Sequence, residues 1–88
     1  MSDATRHELL RKIAQWQRAK LDLNANKGDD WLACDLGWLR KRLDEEVKEL
    51  AAAVMTGNVG LIWSEAADVA NMAAMVADRA CIGGGGDE

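Results

Sequence analysis

Hydrophobic and polar residues follow one another along the chain with the period of α-helices, and the pattern predicts three of them. The first is expected from about Thr5 to Leu23, since Thr5 and Glu8 have the spacing of a capping box, in which each side chain bonds a free backbone N–H group. The segment from Asn24 to Gly28 is expected to end it. One face carries the apolar residues that should be buried, namely Leu9, Leu10, Ile13, Trp16 and Leu21.

The second helix has the most regular apolar stripe. It can begin near Trp31, capped by Asp29 or Asp30, or it can be broken at Gly37 so that a long helix starts near Trp38. The stripe consists of Leu36, Leu39, Leu43, Val47, Leu50 and Val54. On a helical wheel, one flank beside this stripe carries Trp38, Arg42, Glu46 and Glu49.

A tight turn at Gly57 is expected to join the second helix to a third. Gly tolerates the left-handed conformation that ends a helix, and Asn58 can cap the next one, which should run from about Val59 to Ala80. The middle of this third helix is Ala, Val and Met apart from four polar residues, which is typical of a helix surrounded by other helices. These four are Glu65, Asp68, Asn71 and Asp78.

Composition indicates an all-α domain that associates with itself. The chain of 88 residues has no Pro, Phe or Tyr, and it is rich in Ala and Leu, which favours helices over strands. A chain of this length buries only a limited core alone, and a monomer would expose much of the apolar third helix. We therefore expect one all-α domain at residues 1–82, with a four-helix-bundle-type core formed as a homodimer or a homotetramer. Residues 83–88 should be a disordered Gly-rich tail.

Charge and cysteine content exclude several classes of protein. A net charge of −4 argues against stable nucleic-acid binding, although the first 28 residues hold six basic groups against three acidic ones. No apolar run is long enough for a membrane span or a signal peptide, so we expect a soluble cytoplasmic protein. Cys34 and Cys81 form no C-x-x-C motif, which gives no indication of zinc or redox chemistry.

Two pairs of acidic residues carry the strongest indication of function. Glu46 and Glu49 share one helix face, as do Glu65 and Asp68, because helical residues three apart are neighbours. Glu49 and Glu65 each lie eight residues from Gly57, and Glu46 and Asp68 each lie eleven from it. A hairpin folded at Gly57 therefore places four carboxylates level, and they repel one another unless a cation joins them. Oxygen ligands suit Mg²⁺ or Mn²⁺, so the sequence predicts a divalent metal site.

A non-enzymatic alternative stays open. Glu46 and Glu49 alone could belong to an ordinary solvated helix face, and the carboxylates of both pairs could bind basic groups of a partner in a helical oligomerisation or regulatory module. The second pair favours the metal site, because Glu65 and Asp68 interrupt an apolar helix and Arg79 is the only Lys or Arg after Lys48.

The order of these motifs resembles the MazG-like all-α nucleoside triphosphate pyrophosphohydrolases. E-x-x-E at residues 46–49 is followed, after fifteen residues, by E-x-x-D at 65–68 and then by Asn71, and the resemblance covers residues 38–78. It implies hydrolysis of a nucleoside triphosphate between the α and β phosphates, giving a monophosphate and pyrophosphate. It also implies Mg²⁺, with Mn²⁺ as a substitute, held by Glu46, Glu49, Glu65 and Asp68, and it makes Glu45 the general base or a further ligand.

Residues that could bind the substrate of such a reaction lie on all three predicted helices. Arg42 can contact a phosphate, Asn71 can bond the sugar or hold a ligand carboxylate, and Trp38 or Trp16 can stack on the base, although either Trp can equally be a packing residue. The chain lacks the later basic residues with which larger family members bind phosphates. Those contacts would come from Lys20 and Arg18 of the first helix, from Lys48 or from another subunit. The base, the sugar and the number of phosphates are not specified by the sequence.

Overall fold

The computed structural model describes residues 1–23 and 35–83, the last three through their backbone alone. It contains three α-helices, α1 (Asp3–Leu23), α2 (Leu36–Thr56) and α3 (Val59–Gly83), and the described residues include no β-strand. The predicted all-α class is confirmed. Helix α3 packs against both α2 and α1. Within the described ranges, no helix combines the length and the apolar character that crossing a membrane requires.

The turn between α2 and α3 forms as the sequence predicts. Gly57 adopts φ 71° in the left-handed region, and its N–H donates to the Val54 carbonyl at 3.2 Å. Asn58 then caps α3, because its Oδ1 accepts a hydrogen bond from the Leu61 N–H at 3.0 Å. Thr56 Oγ1 accepts from the Asn58 N–H at 3.1 Å. These bonds satisfy backbone groups at both helix ends and return α3 along α2.

The starts of α1 and α2 differ from the prediction. Helix α1 begins at Asp3, and Ser2 Oγ accepts a hydrogen bond from the Thr5 N–H at 3.1 Å. The capping box predicted for Thr5 and Glu8 is therefore wrong, because Ser2 caps a helix that starts earlier. Helix α2 begins at Leu36, capped by Asp35, whose Oδ2 accepts from the Trp38 N–H at 3.3 Å. Gly37 does not break this helix.

Several sequence-based expectations concern residues outside the described ranges. These are the end of the first helix at Asn24–Gly28, the caps Asp29 and Asp30, the environments of Trp31 and Cys34, and residues 84–88 of the tail. Helix α3 ends at Gly83 instead of Ala80, so the first residue of the predicted tail is helical.

The fully buried line of α2 coincides with its predicted apolar stripe only at Leu39. Leu39, Glu46 and Ala53 are buried, and they lie seven residues apart along one line of the helix. Val47 and Val54, which belong to the stripe, are 48% and 54% exposed. The buried line lies roughly 60° around the helix from the centre of the stripe. Helix α2 is thus turned so that Glu46, at the edge of the stripe, packs in the hairpin in place of the centre of the stripe.

The predicted apolar face of α1 is also largely exposed. Leu9, Leu10 and Leu21 are exposed, while Ile13 and Trp16 are half-buried. The side chains that bond α1 to α3 through hydrogen bonds are polar, and the next section describes them. Apolar residues of α1 and α2 therefore remain exposed on the single chain.

Candidate metal centre

Three glutamates from two helices meet at the middle of the hairpin. Glu46 and Glu49 on α2 and Glu65 on α3 each offer a carboxylate oxygen, and the three oxygens lie within 4.8 Å of one another. The arrangement follows from the sequence, since the turn at Gly57 brings Glu49 level with Glu65. Three carboxylate oxygens at this separation can bind one small cation together.

Burial makes two of these three carboxylates energetically costly without a partner, whereas Glu49 is exposed. Glu46 is only 7% exposed, and its Oε1 atom has no hydrogen-bond partner within the described residues. Oε1 of Glu65 is likewise buried and without a hydrogen bond in the described part of the chain. An unsatisfied buried polar atom costs about 1–3 kcal/mol. Unsatisfied oxygens in two converging carboxylates fit a hard divalent cation, because one cation can bind both carboxylates.

Burial is also the main reason that the pKa values of Glu46 and Glu65 are raised. Burial raises the pKa of Glu46, and the neighbouring charges of Glu49, Asp68 and Glu65 add to the rise, while Arg42 opposes it. Burial is also the main cause that raises the pKa of Glu65, followed by the charges of Asp68 and Glu49, with Lys20 opposing. The ionised forms of Glu46 and Glu65 are therefore destabilised at this site, and added positive charge would stabilise them.

Arg42 supplies part of that positive charge from α2. Its Nη2 donates to Glu46 Oε2 at 2.8 Å, one helical turn away, and its Nη1 donates to Glu45. Glu45 is exposed, and among the described residues it does not belong to the group of three converging carboxylates. The predicted base thus lies at the outer edge of the site, joined to it through Arg42.

Asp68, the fourth predicted ligand, binds a lysine of α1. Lys20 Nζ lies 3.3 Å from Asp68 Oδ2, and it donates a hydrogen bond to Ser64 Oγ at 3.1 Å. Asp68 does not belong to the group of oxygens within 4.8 Å of one another, yet its charge still raises the pKa of both Glu46 and Glu65. It therefore borders the three glutamates.

Asn71 ties α1 to α3 one turn beyond Asp68. It is 8% exposed, its Oδ1 accepts a hydrogen bond from Gln17 Nε2 at 3.1 Å, and its Nδ2 donates to the Gln17 carbonyl at 3.2 Å. The side-chain amide predicted to contact substrate is thus bonded on both sides within the chain. Its observed contacts hold the helix that carries Lys20.

The remaining predicted residues are Trp38, Trp16 and Arg18. Trp38 is half exposed in the first turn of α2, and Trp16 is half-buried on α1, one turn before Lys20. Arg18 is exposed and lies 4.0 Å from Asp22 of its own helix. The structure brings Glu46, Glu49 and Glu65 together and surrounds them with Arg42, Asp68 and Lys20.

Sequence reasoning missed Gln17 and Ser64. A signal existed for Gln17, because it lies three residues before Lys20 and hence on the same face of α1. Ser64 stands directly before Glu65 and one turn before Asp68, but a Ser at such a position has many ordinary roles in a helix. Its role as a partner of Lys20 follows only from the packing of α1 on α3.

An open cleft continues from the carboxylates toward the turn. Its volume is about 260 Å³. The walls are mainly small or apolar, with two carboxylates at one end, and the lining residues are Glu49, Ala52, Ala53, Thr56, Leu61 and Glu65. A molecule bound here would contact both an apolar surface and the acidic cluster.

Comparison of the chain with protein-family models, curated proteins and solved structures found no match.

Proposed function

We propose that the protein is a Mg²⁺-dependent nucleotide pyrophosphohydrolase, which hydrolyses a nucleoside triphosphate between its α and β phosphates to a monophosphate and pyrophosphate. The observation that carries this proposal is the meeting of Glu46, Glu49 and Glu65, with two buried oxygens that lack hydrogen bonds within the described residues. The order of the acidic motifs along the chain adds the reaction class, since it resembles that of MazG-like enzymes.

Glu46, Glu49 and Glu65 would hold Mg²⁺, with Asp68 as the fourth ligand and Mn²⁺ as a substitute ion. The ion pairs of Lys20 with Asp68 and of Arg42 with Glu46 offset two of the four negative charges, and a divalent cation would offset the rest. When bound, Mg²⁺ would neutralise charge on the phosphates and lower the pKa of a water molecule for attack on phosphorus.

The chain's own residues would orient the nucleotide and handle the proton. Glu45 is exposed beside the cluster, where its carboxylate can accept a proton from the attacking water. Arg42 and Lys20 place two cationic groups beside the site, where they can bind phosphate oxygens. Trp38 and Trp16 offer ring faces for the base. Asn71 contributes by holding α1, and a sugar contact would require its bonds to Gln17 to open.

Exposed apolar residues support a homodimer or homotetramer with a four-helix-bundle-type core. Leu10 is 64% exposed and Val54 is 54% exposed, although each belongs to a regular apolar stripe. Packing such stripes against a second copy would remove them from water, at about 25 cal/mol per Å² of apolar area. Sedimentation equilibrium at micromolar concentration tests this, and a folded, active monomer of 9.6 kDa would contradict it.

The test of function is a pyrophosphate-release screen over standard and modified nucleoside triphosphates, with Mg²⁺ and with a chelator. We expect release for at least one nucleotide with Mg²⁺ alone, and its loss in Glu49→Gln. Asp44→Asn is the matched control, since Asp44 is an exposed acid of the same helix that lies near Arg40. Release that persists in Glu49→Gln would refute the assignment of the site.

The ion pairs also favour a second candidate, a non-enzymatic helical oligomerisation or regulatory module. Lys20 and Arg42 already satisfy part of the acidic group within the chain, as a structural cluster requires. Thermal unfolding separates the two candidates, because Mg²⁺ or Mn²⁺ should raise the melting temperature of a metal enzyme and leave that of a module unchanged.

A further inference from the structure

Lys20 lies where α1 meets the acidic cluster, and its ammonium group is bonded to one of the four proposed metal ligands. Nζ is 3.3 Å from Asp68 Oδ2 and 3.1 Å from Ser64 Oγ. The side chains of Lys20 and Asp68 are 22% and 25% exposed, so most of this ion pair is withdrawn from water. Dissolved salt therefore screens it less than an exposed surface pair.

Asp68 is paired with Lys20 and borders the three glutamates. It follows Glu65 by one turn on the same face of α3, and Glu65 belongs to the group of carboxylate oxygens within 4.8 Å of one another. Asp68 is outside that group, and its Oδ2 faces Lys20. A divalent ion held by both helical pairs would therefore compete with the ammonium group for Asp68, since both cations are attracted to the same carboxylate.

On the premise of the metal-dependent function proposed above, we propose that Lys20 is a positioning residue that holds Asp68 in the metal-free protein and exchanges it for nucleotide phosphate when a divalent ion binds. Lysine suits this exchange because its ammonium is a point charge on a flexible stem. Helix α1 need not move, since the two hydrogen bonds between Gln17 and Asn71 anchor it independently of Lys20.

The proposal predicts effects of opposite sign for metal and for phosphate. Lys20→Met removes the competing charge, so Mn²⁺ measured by calorimetry should bind about threefold to tenfold more tightly, the effect of a unit charge on a nearby divalent ion in a partly solvated site. Inorganic pyrophosphate, titrated with saturating Mg²⁺, should bind about tenfold more weakly because its cationic contact is lost. A residue that only held α1 in place would weaken both or change neither.

Further variants control for the position of the charge, for its presence and for folding. Lys12→Met is the matched change on the same helix, where Lys12 pairs with Glu8 about 12 Å along the axis from Lys20, and it should alter neither affinity. Lys20→Arg keeps the charge and should bind Mn²⁺ like the unaltered protein; if Lys20→Met does not fold, Lys20→Gln replaces it in the comparison. In an Asp68→Asn background, Lys20→Met should no longer tighten Mn²⁺ binding, because the contested carboxylate is gone.

The outcomes separate this inference from the function on which it rests. If the unaltered protein does not bind Mn²⁺, the proposed function fails and this inference fails with it. If it binds Mn²⁺ but neutralising Lys20 leaves that affinity unchanged or weaker, the inference alone is overturned. A tightening that persists in the Asp68→Asn background would also overturn it, because Asp68 would then not be the shared ligand.

Discussion

The Glu65→Gln variant should be more stable than the unaltered protein without metal and less stable than it with Mg²⁺. Without metal, the Glu65 carboxylate is partly buried, with one buried oxygen that lacks a hydrogen bond within the described residues, and the charges of Asp68 and Glu49 oppose it. Lys20 compensates only in part. Neutralising this side chain at nearly constant volume should therefore stabilise the metal-free fold.

The expected size follows from these contacts. Relief of like-charge repulsion, together with an amide N–H group that can donate to a neighbouring carboxylate, is worth about 1–3 kcal/mol at full burial, and partial exposure of Glu65 reduces it to about 1 kcal/mol. For a domain of this size, 1 kcal/mol raises the melting temperature by about 4–8 °C. With Mg²⁺ at one hundred times its dissociation constant, the unaltered protein should gain about 2.7 kcal/mol, whereas the variant lacks a ligand and should gain little.

Thermal unfolding at pH 7.5, at one protein concentration, with EDTA and with Mg²⁺, measures both halves of this prediction. The variant should melt higher with EDTA, and the unaltered protein should melt higher with Mg²⁺. Asp44→Asn removes an exposed charge from α2, and it should shift stability by less than about 0.5 kcal/mol without affecting the response to Mg²⁺. An equal gain from Mg²⁺ in Glu65→Gln, or a lower melting temperature with EDTA, would refute the reasoning.

Three further predictions follow from the same geometry. The pKa values of Glu46 and Glu65 are raised above 4.5 in the folded state, so the metal-free protein should become more stable as pH falls from 8 toward 4.5. Urea unfolding measures this stability, and a steady loss over the same range would contradict the prediction. Glu49→Gln should slow Mg²⁺-dependent pyrophosphate release at least about 100-fold with unchanged circular dichroism. Gly57→Ala should lower the free energy of unfolding in urea by about 1–2 kcal/mol, because φ is 71°, which strains any residue with a Cβ atom. The added Cβ meets nothing within 4 Å, so no steric clash adds to this cost, and the control Gly60→Ala within α3 should not destabilise the fold.

The sequence by itself determined the presence of the helices, their hairpin and three of the four carboxylates predicted for the acidic cluster. Gly57 and Asn58 specify a turn through local backbone chemistry, and no tertiary contact is needed to locate it. Once the turn is placed, the equal spacing of Glu49 and Glu65 from Gly57 makes them neighbours, because both helices rise by the same amount per residue. Helix caps were less predictable, since Ser2 and Thr5 are both good capping residues and only the folded chain selects Ser2.

Only the tertiary structure decided how each helix is rotated and what surrounds the cluster. Apolar periodicity defines a stripe, but a rotation of roughly 60° places Glu46 and Ala53 inside and leaves Val54 exposed. Packing across two helices sets that rotation. The pairing of Lys20 with Asp68, and the anchoring of Gln17 by Asn71, join residues more than forty positions apart. Such contacts depend on where α1 lies against α3, which the spacing of residues within either helix does not encode.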